Sequence, residues 1–378
     1  MNIAVFFGGE SCEHDISIIT GEQLISKMND YLYNIIPIYI DRNGLWWTGE
    51  GLKDLDYFSN KDLVKDKLKR CTLLFGDKDL YVLKGKKYIK LSSIDVAIVC
   101  MHGRRGEDGC LSGVLEMCKI PYTTSSLCAS SLCMDKGVFK YCAKGLGVNV
   151  VDGFCVLKDE VVLNFDDVLA RVKGKILFPV IIKPCRQGSS IGIEVCKSED
   201  SFRQCLMNSL KYDDKVLIEK YVDVFKEVNV AVMYDKGEYV VSNTETPIKN
   251  DEILSFDDKY RKNPAGFDGI RRKIPADIPN SQAVEVVDLA VLVYKALDMF
   301  GIVRFDFIVS GLGEVYLNEV NTIPGSMANY LFDKTKYPYA SLIEMMISNA
   351  IHRLERENKI IKSVETGVSL SGINGLKK

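Results

Sequence analysis

Hydrophobic positions in this chain fall in short blocks whose period switches between two and about 3.6, the mark of strands interleaved with helices. Residues 2–7 are apolar almost throughout and stop at Gly8-Gly9, as expected of a strand buried on both faces. A helical period follows from about Ser17 to Met28, then a second strand over Ile35–Ile40. Residues 50–92 read as an insertion with charged turns and a hairpin around Lys84–Tyr88, and Asp95–Met101 is the next buried strand. The β–loop–α–β order with a glycine-rich first loop predicts an α/β, Rossmann-like layer over residues 1–124. A central unit over residues 125–219 is predicted from a helix opening at Asp135-Lys136 and two facing strands, Pro179–Pro184 and Gly192–Cys196. A third, over residues 220–354, holds strands at Val228–Tyr234 and Tyr239–Ser242, a long polar segment from Pro247 to Ile274, a helix over Gln282–Phe300 and a final hairpin. Residues 355–378 read as a weakly ordered polar tail.

The hairpin carries the strongest chemical signal. Its strands, Arg304–Val309 and Gly313–Asn321, put Asp306 on one side and Glu319 and Asn321 on the other. The latter two share a face because they are two residues apart. Three oxygen-bearing side chains placed this way predict a site for a hard cation such as Mg2+, which usually also contacts substrate phosphates. Lys183 ends a strand and precedes the glycine- and hydroxyl-rich loop Cys185–Gly192, whose N–H groups could hold phosphate oxygens; a hairpin turn with an incidental lysine explains the same residues. Taken alone, Lys136 reads as a helix-start lysine, and Glu219 and Glu227 as members of a solvated edge strand. His102 opens the loop His102-Gly-Arg-Arg-Gly-Glu-Asp-Gly109 at the C-terminal end of a strand, where open α/β sheets bind ligands. A capped strand-to-helix connection accounts for those glycines but not for the histidine. No P-loop, zinc-type Cys/His spacing or Gly-x-Ser-x-Gly elbow occurs.

Composition narrows the partners. With 26% charged residues and a net charge of −2, the chain lacks the basic excess of a nucleic-acid scaffold. The short basic cluster Arg261-Lys262 and Arg271-Arg272-Lys273 reads as a solvated face or a phosphate contact. The twelve cysteines form no Cys-x-x-Cys pair and many sit inside apolar segments, the usage of reduced thiols in a cytoplasmic protein. The first residues lack the basic start of a signal peptide, and no apolar stretch approaches the roughly 20 residues needed to span a bilayer.

Taken in chain order, these segments resemble the ATP-grasp superfamily and, within it, the D-alanine–D-alanine ligase family. The resemblance rests on Phe7-Gly-Gly-Glu-Ser-Cys-Glu-His-Asp-Ile-Ser17, the His102–Gly109 loop with Gly113 to Glu116, Cys133-Met-Asp-Lys136, Ile182-Lys-Pro-Cys-Arg-Gln-Gly-Ser-Ser-Ile-Gly192, Lys259-Tyr260, Arg304-Phe-Asp-Phe307 and Asn318-Glu-Val-Asn-Thr-Ile-Pro-Gly325. It runs from residue 2 to about 350 and implies an ATP-grasp fold behind an N-terminal Rossmann-like domain. It also implies an ATP-dependent carbon–nitrogen ligase that joins two amino acids through an acyl phosphate, for peptidoglycan precursor synthesis. By the resemblance, Lys136, Lys183, Ser190, Glu219, Lys220, Tyr221, Val222, Glu227 and Asn318 bind ATP. Asp306, Glu319 and Asn321 hold two Mg2+, for which Mn2+ can substitute. Glu13 takes the amino group of the first amino acid with support from Ser189 and Tyr260; His102 lies close to that substrate. Arg304 and the Gly325 N–H stabilise the oxyanion, Lys259 and Tyr260 ride on a lid, and the molecule is a homodimer.

Two segments depart from the family pattern. After Pro324-Gly325 the family has Met-Thr-x-x-Ser, whose serine holds the carboxylate of the second amino acid; here the run is Ser326-Met-Ala-Asn-Tyr330, with Tyr330 in that place. The lid run is Leu254-Ser-Phe-Asp-Asp-Lys-Tyr260 instead of Tyr-Asp-Tyr-Glu-Ala-Lys-Tyr. Donor activation is therefore expected to be preserved and the acceptor pocket altered, with D-alanine, D-serine or another amino acid as the acceptor. A non-amino-acid acceptor and a catalytically silent nucleotide-binding protein are the other readings.

Overall fold

The computed structural model describes residues 1–54, 56–59, 68–223, 225–248 and 271–362. The continuous apolar run at the start forms β1 (Asn2–Gly8), whose Ile3 to Phe7 are entirely buried. Helix α1 (His14–Ile25) starts earlier than the apolar period indicates, because His14 Nδ1 is tied to the Gly9 carbonyl at 2.6 Å and winds the polar turn after Glu13 into the helix. Then come β2 (Asn34–Ile40), β3 (Trp46–Thr48), α2 (Asp56–Ser59), β4 (Lys69–Leu73), β5 (Asp79–Lys84), β6 (Lys87–Ser93), β7 (Val96–Val99) and α3 (Cys110–Met117). The strands make one sheet in the order β6-β5-β4-β3-β2-β1-β7, with β1 parallel to both β2 and β7. The expected insertion is thus an antiparallel extension of the sheet.

Helices α4 (Leu127–Met134) and α5 (Lys136–Gly145) follow, and the Asp135 carboxylate caps α5 by accepting the Gly137 and Val138 N–H groups at 3.1 Å. A second, antiparallel sheet is built from β8 (Gly153–Leu157), β9 (Val180–Pro184), β10 (Glu194–Cys196) and β11 (Lys215–Lys220), in the order β10-β9-β11-β8. Helices α6 (Lys158–Leu163), α7 (Phe165–Lys175) and α8 (Glu199–Ser209) contribute Val161, Val168, Val172, Phe202 and Leu206 to its core.

The third sheet comprises β12 (Phe225–Asp235), β13 (Glu238–Val241), β16 (Val303–Ser310) and β17 (Val315–Asn321), in the order β13-β12-β16-β17. A two-stranded ribbon, β14 (Thr246–Pro247) with β15 (Arg272–Lys273), lies beside it. Helix α9 (Asn280–Ala296) packs Val286, Ala290 and Val293 into the same core as Val230, Phe305 and Leu317. It ends short of the expected Phe300 because Asp298 takes a left-handed φ of 46°. Helix α10 (Tyr339–Asn358) runs past Glu355, where a polar tail was expected. Buried Arg353 holds that last turn: its guanidinium lies 3.9 Å over the Tyr122 ring and donates to the Thr124 carbonyl at 3.2 Å. The remainder of the expected tail, residues 363–378, and most of the Pro247–Ile274 segment with Lys259 and Tyr260 lie outside the described residues. Among the described residues no helix is long and apolar enough to cross a membrane.

Candidate active site

The three sheets bring their loops to one polar cavity. Glu13, His102, Ser189, Glu227, Arg304, Asp306, Glu319, Asn321, Gly325 and Tyr330 line it. Glu13 ends the turn before α1, and its Oε1 accepts a hydrogen bond from the Ser189 hydroxyl of the β9–β10 loop. Two glycines make room for this meeting. A Cβ on Gly188 would lie 2.7 Å from Glu13 Oε2, and one on Gly103 would lie 3.0 Å from the same atom. Ser189 and Ser190 both adopt left-handed backbone, with φ of 52° and 61°, a conformation non-glycine residues hold only under constraint and often at ligand sites.

His102 touches the cavity wall, but its ring is committed elsewhere. Nδ1 lies 2.8 Å from the Ile323 carbonyl, which only accepts, so Nδ1 carries the proton. Nε2 then accepts from the Thr20 hydroxyl at 2.8 Å, and Thr20 in turn accepts the Ser326 N–H at 3.3 Å. Burial pushes the His102 pKa down to about 4, so the ring is neutral. Glu107, in the same loop, accepts the Ile323 N–H at 3.2 Å and the Gly103 N–H at 3.3 Å. Burial, reinforced by the charge of Glu13, raises its pKa to about 8. The glycine loop therefore clamps the Ile323 peptide from both sides, two residues before Gly325.

The lysines form an adjoining wall. Lys136 donates to the Gln187 carbonyl at 2.7 Å and lies 3.3 Å from Glu319. Burial works against its charge, but Glu319 outweighs burial and the pKa is raised. Lys183 donates to Asn318 Oδ1 at 2.9 Å and pairs with Glu219 at 2.7 Å. Glu219 is not the solvated edge-strand residue its alternation suggests: it is completely buried, and a second lysine, Lys140, pairs with its other oxygen. Burial disfavours the Glu219 carboxylate, yet Lys140 and Lys183 together hold its pKa below the usual range. An apolar slot beside this pair is lined by Val151, Ile181, Lys220, Tyr221, Val222, Phe225 and Ile308, with Lys183 and Glu219 at its inner end.

On the β16–β17 hairpin, Arg304 sits opposite Asn321 and Asp306 opposite Glu319, with a β-bulge next to Asp306. The bulge leaves Asn318 as the extra residue of β17, and its amide reaches Lys183. Arg304 binds Asp306 through both carboxylate oxygens, at 2.6 and 2.7 Å, and Asn321 Nδ2 donates to Asp306 at 3.0 Å. Burial raises the Asp306 pKa to about 6 even against Arg304, with Glu319 and Glu227 adding to the shift. Two carboxylates and an amide oxygen, concentrated where burial already resists negative charge, fit a hard divalent cation.

Several lining residues were not singled out beforehand: Glu107, Asn229, Glu245 and, outside the cavity, Lys140. Arg272, whose basic cluster was expected at a solvated face or a phosphate contact, does not lie on a solvated face but lines the cavity. Its Nε lies 3.2 Å from buried Glu245, and its guanidinium carbon sits 4.0 Å over the Tyr330 ring. The Tyr330 hydroxyl donates to Glu245 at 3.2 Å, and Asn229 donates to the same oxygen at 3.0 Å.

A Rossmann-like layer followed by two α+β units, meeting at a cleft of lysines and carboxylates, is the ATP-grasp architecture. Family models described as D-ala D-ala ligase N-terminus and D-ala D-ala ligase C-terminus match residues 2–125 and 142–348. The chain is 34% identical over 373 residues to the D-alanine–D-alanine ligase of Thermosipho melanesiensis, covering 97% of this chain and 98% of that one. The solved D-alanine–D-alanine ligase of Coxiella burnetii superposes with a TM-score of 0.77 at 25% identity, over 95% and 96% of the two chains. The VanG D-Ala:D-Ser ligase of Enterococcus faecalis gives the same TM-score and identity, over 92% and 99%. The chain belongs to the D-alanine–D-alanine ligase family of ATP-dependent ligases.

Proposed function

We propose that this protein joins D-alanine to a second amino acid, D-alanine itself in the first instance, at the expense of ATP and for peptidoglycan precursor synthesis. The observation that carries the reading is the convergence of the Glu13–Ser189 pair, Arg304 and the Asp306–Glu319–Asn321 set on one cavity, with Lys136 and Lys183 beside it. The apolar slot takes adenine, with backbone groups of Lys220 to Val222 at its edge and Glu227 at the ribose. Glu219 then acts from below, fixing Lys140 and Lys183, rather than touching the sugar. Asp306, Glu319 and Asn321 would hold Mg2+, which supplies charge neutralisation on the transferring phosphoryl group.

Glu13 receives the ammonium of the first D-alanine and turns its carboxylate towards the lysines. That carboxylate takes the γ-phosphoryl group, giving an acyl phosphate and ADP. The neutral amine of the second amino acid attacks the acyl carbon, and the tetrahedral oxyanion lies against Arg304 and the Gly325 N–H. Collapse expels phosphate and leaves the amide; losing one such oxyanion donor typically costs about 10²–10³ in rate. A second reading, with an acceptor other than D-alanine, is favoured by one observation: the bulky Tyr330 and the Arg272–Glu245 pair occupy the acceptor end. The test is phosphate release from Mg·ATP with D-alanine alone and then with a panel of second amino acids, products identified by mass. D-Alanyl-D-alanine as the product supports the first reading. Turnover only with a different second amino acid supports the other, and binding of ATP without release under any combination overturns both.

A further inference from the structure

Helix α1 carries a stripe of polar residues on one side. Glu13 stands just before the helix, and Ser17, Thr20 and Gln23 follow it at spacings of four, three and three. Ser17 Oγ accepts the His102 N–H at 2.9 Å. Thr20 Oγ1 meets His102 Nε2 at 2.8 Å and accepts the Ser326 N–H at 3.3 Å. Half-buried Gln23 extends the stripe by one more turn, and its Oε1 accepts the Ser326 hydroxyl at 2.6 Å. The segment held in this way is a strained one. Ser326, Met327 and Ala328 lie between Gly325 and Tyr330, two cavity residues, and take φ of 50°, 50° and 48°. Residues with a Cβ visit the left-handed region singly, because Cβ crowds the following carbonyl oxygen. Three in succession persist only where the surroundings over-determine them. Here all three are buried, and Ser326 is engaged at its N–H, its hydroxyl and its carbonyl, the last by Asn329 Nδ2 at 2.7 Å.

We propose that Gln23 is a positioning residue for amide formation: by holding the Ser326 hydroxyl it keeps the left-handed turn wound, and the turn keeps the Gly325 N–H where the oxyanion develops. This rests on reading the cavity as a two-amino-acid ligase site. One helix then sets both ends of the donor. Glu13 at its start takes the ammonium, while Thr20 and Gln23, about two and about three turns further on, hold the turn beside the acyl carbon. Gln23 acts through Ser326 and not on substrate, so its loss displaces the oxyanion donor without removing it.

The two chemical steps separate this role from a general structural one. Phosphoryl transfer to the donor carboxylate develops no charge on the acyl oxygen that Gly325 would meet, whereas attack on the acyl phosphate does. With Mg·ATP, D-alanine and the second amino acid that wild type uses best, Gln23→Leu is expected to lower kcat for the dipeptide about tenfold. That is less than the loss of an oxyanion donor outright, because the donor is misplaced and still present. Hydroxamate formation with hydroxylamine, which passes through the same oxyanion, should fall equally. The Michaelis constant for each amino acid should stay within about twofold of wild type, as should acyl-phosphate formation, read as positional isotope exchange in 18O-labelled ATP. Ser326→Ala removes the same hydrogen bond from the other side and should match these effects, and the double variant should be no slower than either single one. Gln23→Glu keeps an acceptor for the hydroxyl and should recover most of the rate. Isotope exchange falling in step with kcat, multiplicative losses in the double variant, or an unchanged kcat overturns the proposal. If wild-type protein makes neither peptide nor hydroxamate with D-alanine as donor, the two-amino-acid ligase reading fails instead.

Discussion

Glu219 offers the sharpest test of how the lysine wall beside the cavity is held together. It is 0% exposed and pairs with two lysines whose side chains are each 8% exposed, Lys140 and Lys183. Replacing it by Gln keeps the shape and removes the charge, leaving two ammonium groups in the protein interior without their counter-ion. Breaking a buried pair by removing one partner costs about 3–5 kcal/mol, because the surviving charge keeps its desolvation penalty. Glu219→Gln should therefore lower stability by about that amount, and Lys140→Met by less, since Lys183 still balances Glu219. The double variant should cost less than the sum of the two, with a coupling of about 1–3 kcal/mol. The sign with pH follows from the depressed pKa of Glu219. Its contribution is present above the ordinary carboxylate pKa and is lost as pH falls through the lower folded value, so wild type and variant converge in acid. Urea denaturation followed by far-UV circular dichroism, repeated across pH, measures all three quantities. A loss below about 1 kcal/mol, strict additivity, or a gap that widens in acid would refute the account of a lysine–glutamate–lysine bridge.

Other consequences follow from the same geometry. His102→Ala should lower kcat by about 10²-fold by loosening the Ile323–Gly325 turn. Because burial holds its pKa near 4, the wild-type rate between pH 6 and 9 should show no inflection that this variant removes; such an inflection would make His102 a proton carrier. Glu22 is buried, and desolvation, aided by Asp54, raises its pKa to about 8. The folded state then binds a proton that the unfolded chain releases above about pH 4.5, so its contribution to stability falls as pH rises from there to about 8. Glu22→Gln should melt higher than wild type at pH 8.5 and by a much smaller margin at pH 5.5. Chelation with EDTA should stop phosphate release and added Mg2+ or Mn2+ restore it, while Asp306→Asn should raise the metal concentration needed for half-maximal rate; metal-independent turnover would overturn the hairpin assignment.

What the sequence made legible was whatever follows from local periodicity. The β16–β17 hairpin is written in its alternation and in the Ser310–Gly313 break, and the pleat alone puts Glu319 and Asn321 on one face. The structure adds what periodicity cannot carry, the bulge that turns Asn318 towards Lys183. Buried charges were misread for one shared reason: a charged residue in an alternating run is ordinarily solvated, and its exceptions depend on partners distant in sequence. Lys140 meets Glu219 across α5 and β11, and Arg272 meets Glu245 across a two-stranded ribbon. One local signal was there. Glu219 directly follows the apolar Val216-Leu217-Ile218, and β11 lies between β8 and β9, where an uncompensated carboxylate would be strongly disfavoured. A central-strand glutamate thus requires a cation, and two strand or helix lysines were available to supply it. The same logic reaches Arg272, whose neighbours in the basic cluster drew it towards solvent while buried Glu245 drew it inward. In this fold the cavity is lined by charged side chains from the first and third units, and the central unit brings the Ser189 hydroxyl to it. The charges of α5, β9 and β11 settle among themselves around Glu219. Those of β12, β15 and β17 face the cavity, which on the proposed function receives the substrates and Mg2+.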